Sequence, residues 1–279
     1  MSASDPVRAV ETNLFDAWQF LSAIPNVEYH HSPNLIRYIG GIPYPLCNSV
    51  MRANLSAEAI DVQVREALAP IRSRLLPLLW WVGPATRPAG LGKYLEREGL
   101  SPVDDIPGMA ADLRATPNDA ADPPGLEIRE VRDEAMLDCW IEIFRTCFEM
   151  PDVAADFFGN GIRSIGFHPG LAYRHYVGFR RDEPAACSSA YLGSASVGIY
   201  NVATLPAFRG QGIGSAMTRR PMREARGRGI GVSVLHATPL GRPVYEQLGF
   251  TERCRLTVYL WEPGASPGSA DAHPQLQNR

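Results

Sequence analysis

The stretch from Val197 to Ser215 constrains the fold of this chain more than any other. It begins with apolar and β-branched residues, meets Pro206, and continues as R-G-Q-G-I-G into a segment rich in Ala, Met and Arg. This order predicts a strand, a glycine turn and the start of a helix. The glycines leave successive backbone amides uncovered, and the positive end of the helix dipole points at the same place. We therefore expect this turn to bind a phosphate or pyrophosphate.

Two familiar phosphate-binding loops do not fit the turn. A Walker loop ends in Gly-Lys-Ser/Thr, whereas this turn ends in Gly-Ile-Gly-Ser and has no lysine. A dinucleotide fingerprint requires G-x-G-x-x-G, but the third glycine of Gly210, Gly212 and Gly214 comes one residue early. An acidic partner for the ribose is also not evident about twenty residues later. Both alternatives therefore fail on spacing.

A second stretch follows the glycine turn. Residues 232–237 predict a buried strand, and residues 239–250 predict a short helix that carries Tyr245 and ends in Leu-Gly-Phe. Gly249 is placed as the glycine that ends this helix. For Tyr245 two interpretations stay open at this point: a buried aromatic residue with a satisfied hydroxyl, or a residue of a functional site.

The pattern R-x-x-G-x-G after a strand, preceded by N-V-A-T-L-P-A-F-R, resembles the acyl-CoA loop of the GCN5-related N-acetyltransferase (GNAT) family. The strand and the tyrosine helix that ends in Leu-Gly-Phe resemble its final motif. The resemblance implies an α/β (α+β) protein with the acyl-CoA N-acyltransferase fold, in which helices flank a mixed, mostly antiparallel central sheet. It also implies an acetyl-CoA-dependent N-acetyltransferase, with coenzyme A as part of the co-substrate and without a metal.

The resemblance assigns roles to particular residues. Tyr245 is the candidate acid that protonates the leaving thiolate, and Asn201, by its place on the central strand rather than by the resemblance, is a candidate for positioning a water molecule. Arg209 either adds charge to the cofactor site or stabilises the turn as a surface arginine. The residues expected to bind acetyl-CoA, through loop amides and a strand beside the pantetheine arm, are Val202, Ala203, Thr204, Arg209, Gly210, Gln211, Gly212, Ile213, Gly214 and Ser215.

The general base that acyl transfer to an ammonium requires is not identified by the sequence. Besides Asn201, the candidates are Glu149, Asp152, His175 and His236. Each of these residue types is more often structural or solvated than catalytic, so none is selected. A non-catalytic acyl-CoA-binding or sensor protein and transfer of a longer acyl group remain alternatives.

Composition limits the partners. A formal net charge of −3 gives no electrostatic reason to expect nucleic acid or an anionic membrane. The sequence lacks a leader pattern and a long apolar run, so we expect a cytoplasmic protein. The acceptor is expected to be a small-molecule amine, ahead of a peptide terminus or a protein lysine, and a monomer or homodimer is compatible with the sequence. The cysteines, which include no C-x-x-C pair, are predicted to be core thiols: Cys47, Cys139, Cys147, Cys187 and Cys254.

The order of elements indicates two similar halves. Residues 88–98 predict a helix that carries Tyr94 and ends in Glu-Gly-Leu, much as the later helix carries Tyr245, and each is followed by a strand. This predicts an internal repeat at a spacing of about 150 residues. In the first copy only Ser56 separates the strand from the helix, where the second copy has the glycine turn. The first copy is therefore expected to bind no anion and to shape the substrate side of the second.

These patterns predict a degenerate GNAT-like N-terminal domain at 1–115, a linker at 116–125, a catalytic GNAT domain at 126–262 and a disordered tail at 263–279. Asp5 is expected to cap a first helix at 6–21. Pro221 lies inside the helix after the glycine turn and is expected to end that helix near Arg219 or to kink it.

Overall fold

The computed structural model of the chain describes residues 5–115 and 120–264. Their α-helices are α1 (Pro6–Ala17), α2 (Ile60–Arg72), α3 (Leu91–Arg97), α4 (Glu134–Cys147), α5 (Asp152–Ile165), α6 (Ile213–Gly227) and α7 (Arg242–Gln247). Their strands are β1 (Glu28–His31), β2 (Ile36–Ile39), β3 (Asn48–Met51), β4 (Leu78–Val82), β5 (Ser101–Asp112), β6 (Leu126–Glu130), β7 (Tyr173–Arg180), β8 (Glu183–Leu192), β9 (Val197–Thr204), β10 (Val232–His236) and β11 (Thr251–Trp261).

The chain divides into two compact units. Among the described residues, the glycine-loop unit contains residues 5–20, 107–115 and 120–253, and the companion unit contains residues 21–106 and 254–264. The mixed, mostly antiparallel sheet flanked by helices confirms the predicted fold class.

In the glycine-loop unit the strand order is β5-β10-β9-β8-β7-β6. Neighbouring strands of this unit pair antiparallel except for β9 and β10, which are parallel because α6 connects them. Val197 and Ile199 belong to the apolar core that α6 covers. Gly198, which lies between them, faces the other side of the sheet, where α1 and α4 pack.

In the companion unit the strand order is β1-β2-β3-β4-β11-β5. Here β3 and β4 form the parallel pair, joined through α2. A separate apolar core lies under α2 and includes Val64, Leu68, Leu78, Trp80, Leu91 and Tyr259. Each unit therefore has its own core and its own parallel strand pair with a helical connection.

The unit boundaries differ from the predicted domains at both ends. Helix α1 groups with residues 107–253 because it packs on β9 and β10. From Cys254 onward, β11 groups with residues 21–106, since Thr257–Trp261 pair with β4. Part of the predicted linker, residues 116–119, and the predicted tail from residue 265 lie outside the described residues.

Several helices and strands differ from their predicted limits. Asp5 caps α1 as expected, its Oδ1 accepting from the Val7 amide at 3.0 Å, but α1 ends at Ala17 and continues as a 3-10 helix to Ala23. Strand β1 was not predicted, because Glu-Tyr-His-His has no apolar alternation and lies mostly exposed.

Helix α6 runs through Pro221 without ending at Arg219. A proline has no N–H, so the carbonyl four residues earlier, on Met217, loses its helical donor. The Ser188 hydroxyl on β8 donates to this buried carbonyl at 3.3 Å. The sheet therefore supplies the hydrogen bond that the proline cannot.

Candidate functional site

The glycine turn has the conformation that its sequence predicts. Gly210 and Gly212 have φ values of 75° and 76°, in the left-handed region that favours glycine. Gly212 is the N-cap of α6, and the first turn of this helix has no acidic residue. Within residues 5–115 and 120–264, the amides from Gly210 to Ser215 have no hydrogen-bond acceptor. These amides and the helix dipole form a site for an anion.

Arg209 braces the edge of this turn. Its Nε donates to the Thr204 carbonyl at the end of β9, at 3.0 Å. Burial raises the pKa of the Cys147 thiol, and the neighbouring Arg209 guanidinium partly offsets that rise. Arg209 is exposed, and its guanidinium holds the end of β9 at the edge of the turn.

Strands β9 and β10 separate just before the turn. Their Cα register joins Val197–Ile199 to Ser233–Leu235 and goes no further, although β9 continues to Thr204. In the described part of the chain, the β9 backbone from Tyr200 to Thr204 therefore has no strand partner on its β10 side. The resulting gap leads directly to the glycine turn.

A β-bulge lies at the start of this gap. The pairing of β8 with β9 shifts register between Cys187 and Ser189, so that Asn201 and Val202 together face a single β8 residue. Asn201 has φ of 54°, a left-handed conformation that a residue inside a strand rarely adopts. Bulges of this kind turn backbone groups away from the ladder and occur next to active sites.

The Asn201 side chain joins a buried polar cluster. Its Nδ2 donates to Ser189 Oγ at 3.4 Å, and Ser189 Oγ lies 2.8 Å from His175 Nδ1. Burial raises the pKa of Tyr173 above its ordinary value, against the hydrogen bonds that Asn201 and Ser189 offer its hydroxyl. These hydrogen bonds therefore fix the Asn201 side chain at the bulge, where the gap between β9 and β10 begins.

Helix α1 is fastened to the same region by Asn13. Its buried Nδ2 donates to the Ser196 carbonyl at 3.0 Å, and its Oδ1 accepts from the Tyr200 hydroxyl at 2.7 Å. Gly198 makes this possible, because a Cβ there would overlap Asn13 Oδ1 and the Tyr200 side chain. Asn13 therefore fixes the residue that precedes the bulge.

Tyr245 lies on α7 with only 9% of its surface exposed. Burial raises the pKa of its phenol to about 12, so it stays protonated at neutral pH. The ring approaches Gly241 closely, where a Cβ would lie 2.8 Å from Cε2. Among the described residues, none hydrogen-bonds the hydroxyl.

The other candidate bases are divided by their surroundings. Glu149 and Asp152 lie exposed, and Asp152 pairs with Arg145 at 3.4 Å. His175 is buried, His236 is half-buried with both ring nitrogens shielded from solvent, and desolvation lowers their pKa values to about 3 and about 4. Both rings are therefore neutral at pH 7.

Metal chemistry has no ligand set in the residues described: no group of three or more His, Cys, Asp or Glu side chains could hold an ion there. The five cysteines are free. Among residues 5–115 and 120–264, no helix has the length and apolar character needed to cross a membrane.

The sequence predicted the conformation of the glycine turn and selected Tyr245, whose role stays a prediction, but it did not select Asn13, Gly198 or Ser189. The residue types gave no signal, since a helix asparagine and a strand glycine are common. The only available hint was Gly198 inside a strand, which often marks the close approach of another group.

With two strands that separate just before a glycine turn, the chain has the acyl-CoA N-acyltransferase fold. Residues 172–252 match the family described as acetyltransferase (GNAT) domain. A mycothiol acetyltransferase from Catenulispora acidiphila is 27% identical over 227 residues, covering 72% of this chain and 65% of that protein. The chain thus matches less than two thirds of the length of this relative. Residues 172–252 therefore match an acetyltransferase (GNAT) domain, within a chain whose fold is that of the GNAT acyltransferases.

Solved structures share the fold. A GCN5-related N-acetyltransferase from Kribbella flavida superposes with a TM-score of 0.66 at 15% identity, covering 95% of this chain and 98% of that one. A tandem GNAT protein from the clavulanic acid biosynthesis pathway superposes with a TM-score of 0.60 at 14% identity, with the same coverage of 95% and 98%.

Proposed function

We propose that this protein is an acetyl-CoA-dependent N-acetyltransferase that transfers the acetyl group directly to the primary amine of a small molecule while both substrates are bound. The observation that carries the proposal is the run of free amides from Gly210 to Ser215, placed where β9 leaves β10. A pyrophosphate satisfies these amides, and an extended pantetheine arm can bond the open edge of β9. The relative named mycothiol acetyltransferase supports acetyl transfer.

The chain's own groups divide the chemistry among them. The loop amides and Arg209 bind the pyrophosphate, and Val202–Thr204 align the pantetheine arm. The open backbone at the bulge polarises the thioester carbonyl. Tyr245, protonated because it is buried, donates its proton to the departing sulfur.

Calorimetric titration with acetyl-CoA tests the proposal. We expect micromolar binding by the native protein and a loss of about a hundredfold or more in Gly212→Glu, since a carboxylate and a side chain then occupy the anion site. Gly90→Glu is the matched control. Gly90 is also the N-cap of a helix, α3, with φ of 84° and open space around it, so it carries the same charge and strain into the companion unit.

Three outcomes of the titration separate the possibilities. Absence of binding by the native protein would remove the cofactor assignment. Equal weakening by the two glutamates would mean that strain, and not the glycine turn, controls binding. Binding without any thiol release on addition of amines would favour the alternative of a non-catalytic acyl-CoA-binding protein.

A further inference from the structure

His236 occupies the other edge of the gap between β9 and β10. It is the last residue of β10, and it pairs with Gly108 of β5 on one side. The last β9 pair of this strand is Leu235 with Ile199, one residue earlier. His236 is therefore the first β10 residue beyond the point where the strands separate.

The ring of His236 has two buried nitrogens, and neither has a hydrogen-bond partner in the described residues. An unsatisfied buried polar group destabilises the folded state, so folded proteins seldom keep two on one ring. His175 differs, because its Nδ1 meets Ser189 Oγ at 2.8 Å. Such an exception to hydrogen-bond satisfaction is expected where a ligand completes the site.

Side-chain alternation places His236 opposite Tyr245. Leu235 and Ala237 belong to the apolar core under α6, and Tyr245 belongs to the same core. Because successive strand residues face opposite sides, His236 faces the other side of the sheet. The proposed acid for the leaving group and the unpartnered imidazole therefore lie on opposite sides of the sheet.

We propose that His236 receives the acceptor: a ring nitrogen accepts a hydrogen bond from the attacking amine and takes its proton during acetyl transfer. This inference rests on the proposed function, because it needs a thioester in the gap. Burial supports it by keeping the imidazole neutral, with its pKa lowered to about 4, so that one nitrogen always has a free lone pair.

The step balances in atoms and electrons. The lone pair of the neutral amine forms the new C–N bond to the carbonyl carbon, the C–S bond breaks, and its electron pair stays on sulfur. The N–H proton goes to His236, and the Tyr245 hydroxyl proton goes to sulfur. Transfer of one proton from the imidazolium through solvent to the tyrosinate restores both side chains.

Hydroxylamine is a suitable probe because it is a small nucleophile that forms a measurable acetohydroxamate. In His236→Leu, which removes both nitrogens, we expect hydroxamate formation to fall about a hundredfold at saturating acetyl-CoA. The calorimetric Kd for acetyl-CoA is expected to change less than about twofold, since the loop is untouched. His236→Gln retains an acceptor oxygen and is expected to recover part of the rate.

His168→Gln is the control, because His168 is a histidine of the same unit that lies exposed and outside the gap; we expect its hydroxamate rate to stay near native. A native rate in His236→Leu would overturn the role of His236 and leave the proposed function intact. Failure of the native protein to bind acetyl-CoA would overturn both. If His236→Leu does not fold, two other measurements test the proposal. One is the hydroxamate rate of His236→Gln, and the other is the Nε2 resonance of His236 when methylammonium is added to the CoA-loaded native protein. A rate no slower than native together with an unshifted resonance would overturn the proposal.

Discussion

The connections β9-α6-β10 and β3-α2-β4 have the same order of elements, but the N-termini of their helices differ in charge. Helix α6 begins after Gly212 without an acidic residue in its first turn. Helix α2 has Asp61 in its first turn and Glu58 just before it, hydrogen-bonded by the Ser56 hydroxyl. The fold alone therefore does not create the anion site; α2 already has carboxylates at its positive end.

The two connections also differ in their backbones. Gln63 of α2 reaches back, and its Oε1 accepts from the Ser56 amide at 2.8 Å. This contact uses a donor at the place where the glycine turn leaves its amides free. The companion unit thus has the geometry of a crossover whose helix terminus is satisfied internally, which agrees with the prediction of a degenerate copy.

The largest effect is expected from the tyrosines that follow each parallel pair. Tyr245→Phe should lower acetyl transfer to hydroxylamine about a hundredfold with an unchanged Kd for acetyl-CoA, because it removes only the proton for the thiolate. Tyr94→Phe is the matched change in the companion unit, where the ring stacks under Arg97 at 4.3 Å. We expect no change in rate there. If Tyr245→Phe transferred the acetyl group at the native rate, Tyr245 would, like Tyr94, have no role in the reaction.

A second prediction concerns the bulge, through Gly198. Gly198→Ala pushes Asn13 away from Tyr200 and should destabilise the fold by about 2 kcal/mol while weakening acetyl-CoA binding about tenfold. Gly227→Ala is the control, since a Cβ at Gly227 meets nothing within 4 Å. Its melting temperature should be native or slightly higher. Native affinity in a folded Gly198→Ala would mean that α1 does not position the bulge.

The fold and the loop were predictable where local chemistry decides them. Glycines at left-handed positions, a strand before them and a helix after them are consecutive in sequence, so one pattern shows them together. Tyr245 was predictable for the same reason, as part of a short motif that ends in Leu-Gly-Phe.

What sequence could not predict depends on distant contacts. The hydrogen bond from Tyr200 to Asn13 spans 187 residues, and no local sequence pattern around either residue predicts it. The unit boundaries were missed because α1 packs far from its sequence neighbours and because β11 pairs with β4. The bulge at Asn201 can be recognised only from the register of β9 against β8, which the sequence does not give.

Acidification should affect the two units differently. The pKa of His175 is lowered to about 3 in the folded protein, and an unfolded histidine titrates near 6.5. A depressed folded pKa gives stability that is present above about pH 6.5 and is lost as pH falls toward 3. We expect the melting temperature to fall between pH 7 and pH 5, and His175→Gln to flatten this slope. The control is His31→Gln, at an exposed position on β1, which should leave the slope of melting temperature against pH unchanged. If this substitution flattened the slope instead, the pH sensitivity would lie in the companion unit.

The smallest effect should come from the proline that each crossover helix contains. Pro221 in α6 leaves the Met217 carbonyl to Ser188, whereas in α2, which contains Pro70, the carbonyl that loses its helical donor is that of Glu66. Ser188→Ala should cost about 1 kcal/mol, because a buried carbonyl then has no donor. In a Pro221→Ala background the cost should nearly vanish, since the new N–H reaches the same carbonyl.

A double-mutant cycle of denaturant unfolding measures this coupling. Ser164→Ala is the control, because the Ser164 hydroxyl also bonds a helix carbonyl, that of Asn160 at 2.8 Å, but at an exposed site. We expect it to cost less than about 0.5 kcal/mol. Coupling of about 1 kcal/mol would show that a sheet side chain replaces the hydrogen bond lost at the proline, so that α6 can run on past Pro221 and keep its N-terminus at the glycine turn. Additive costs would instead mean that Ser188 acts only through packing.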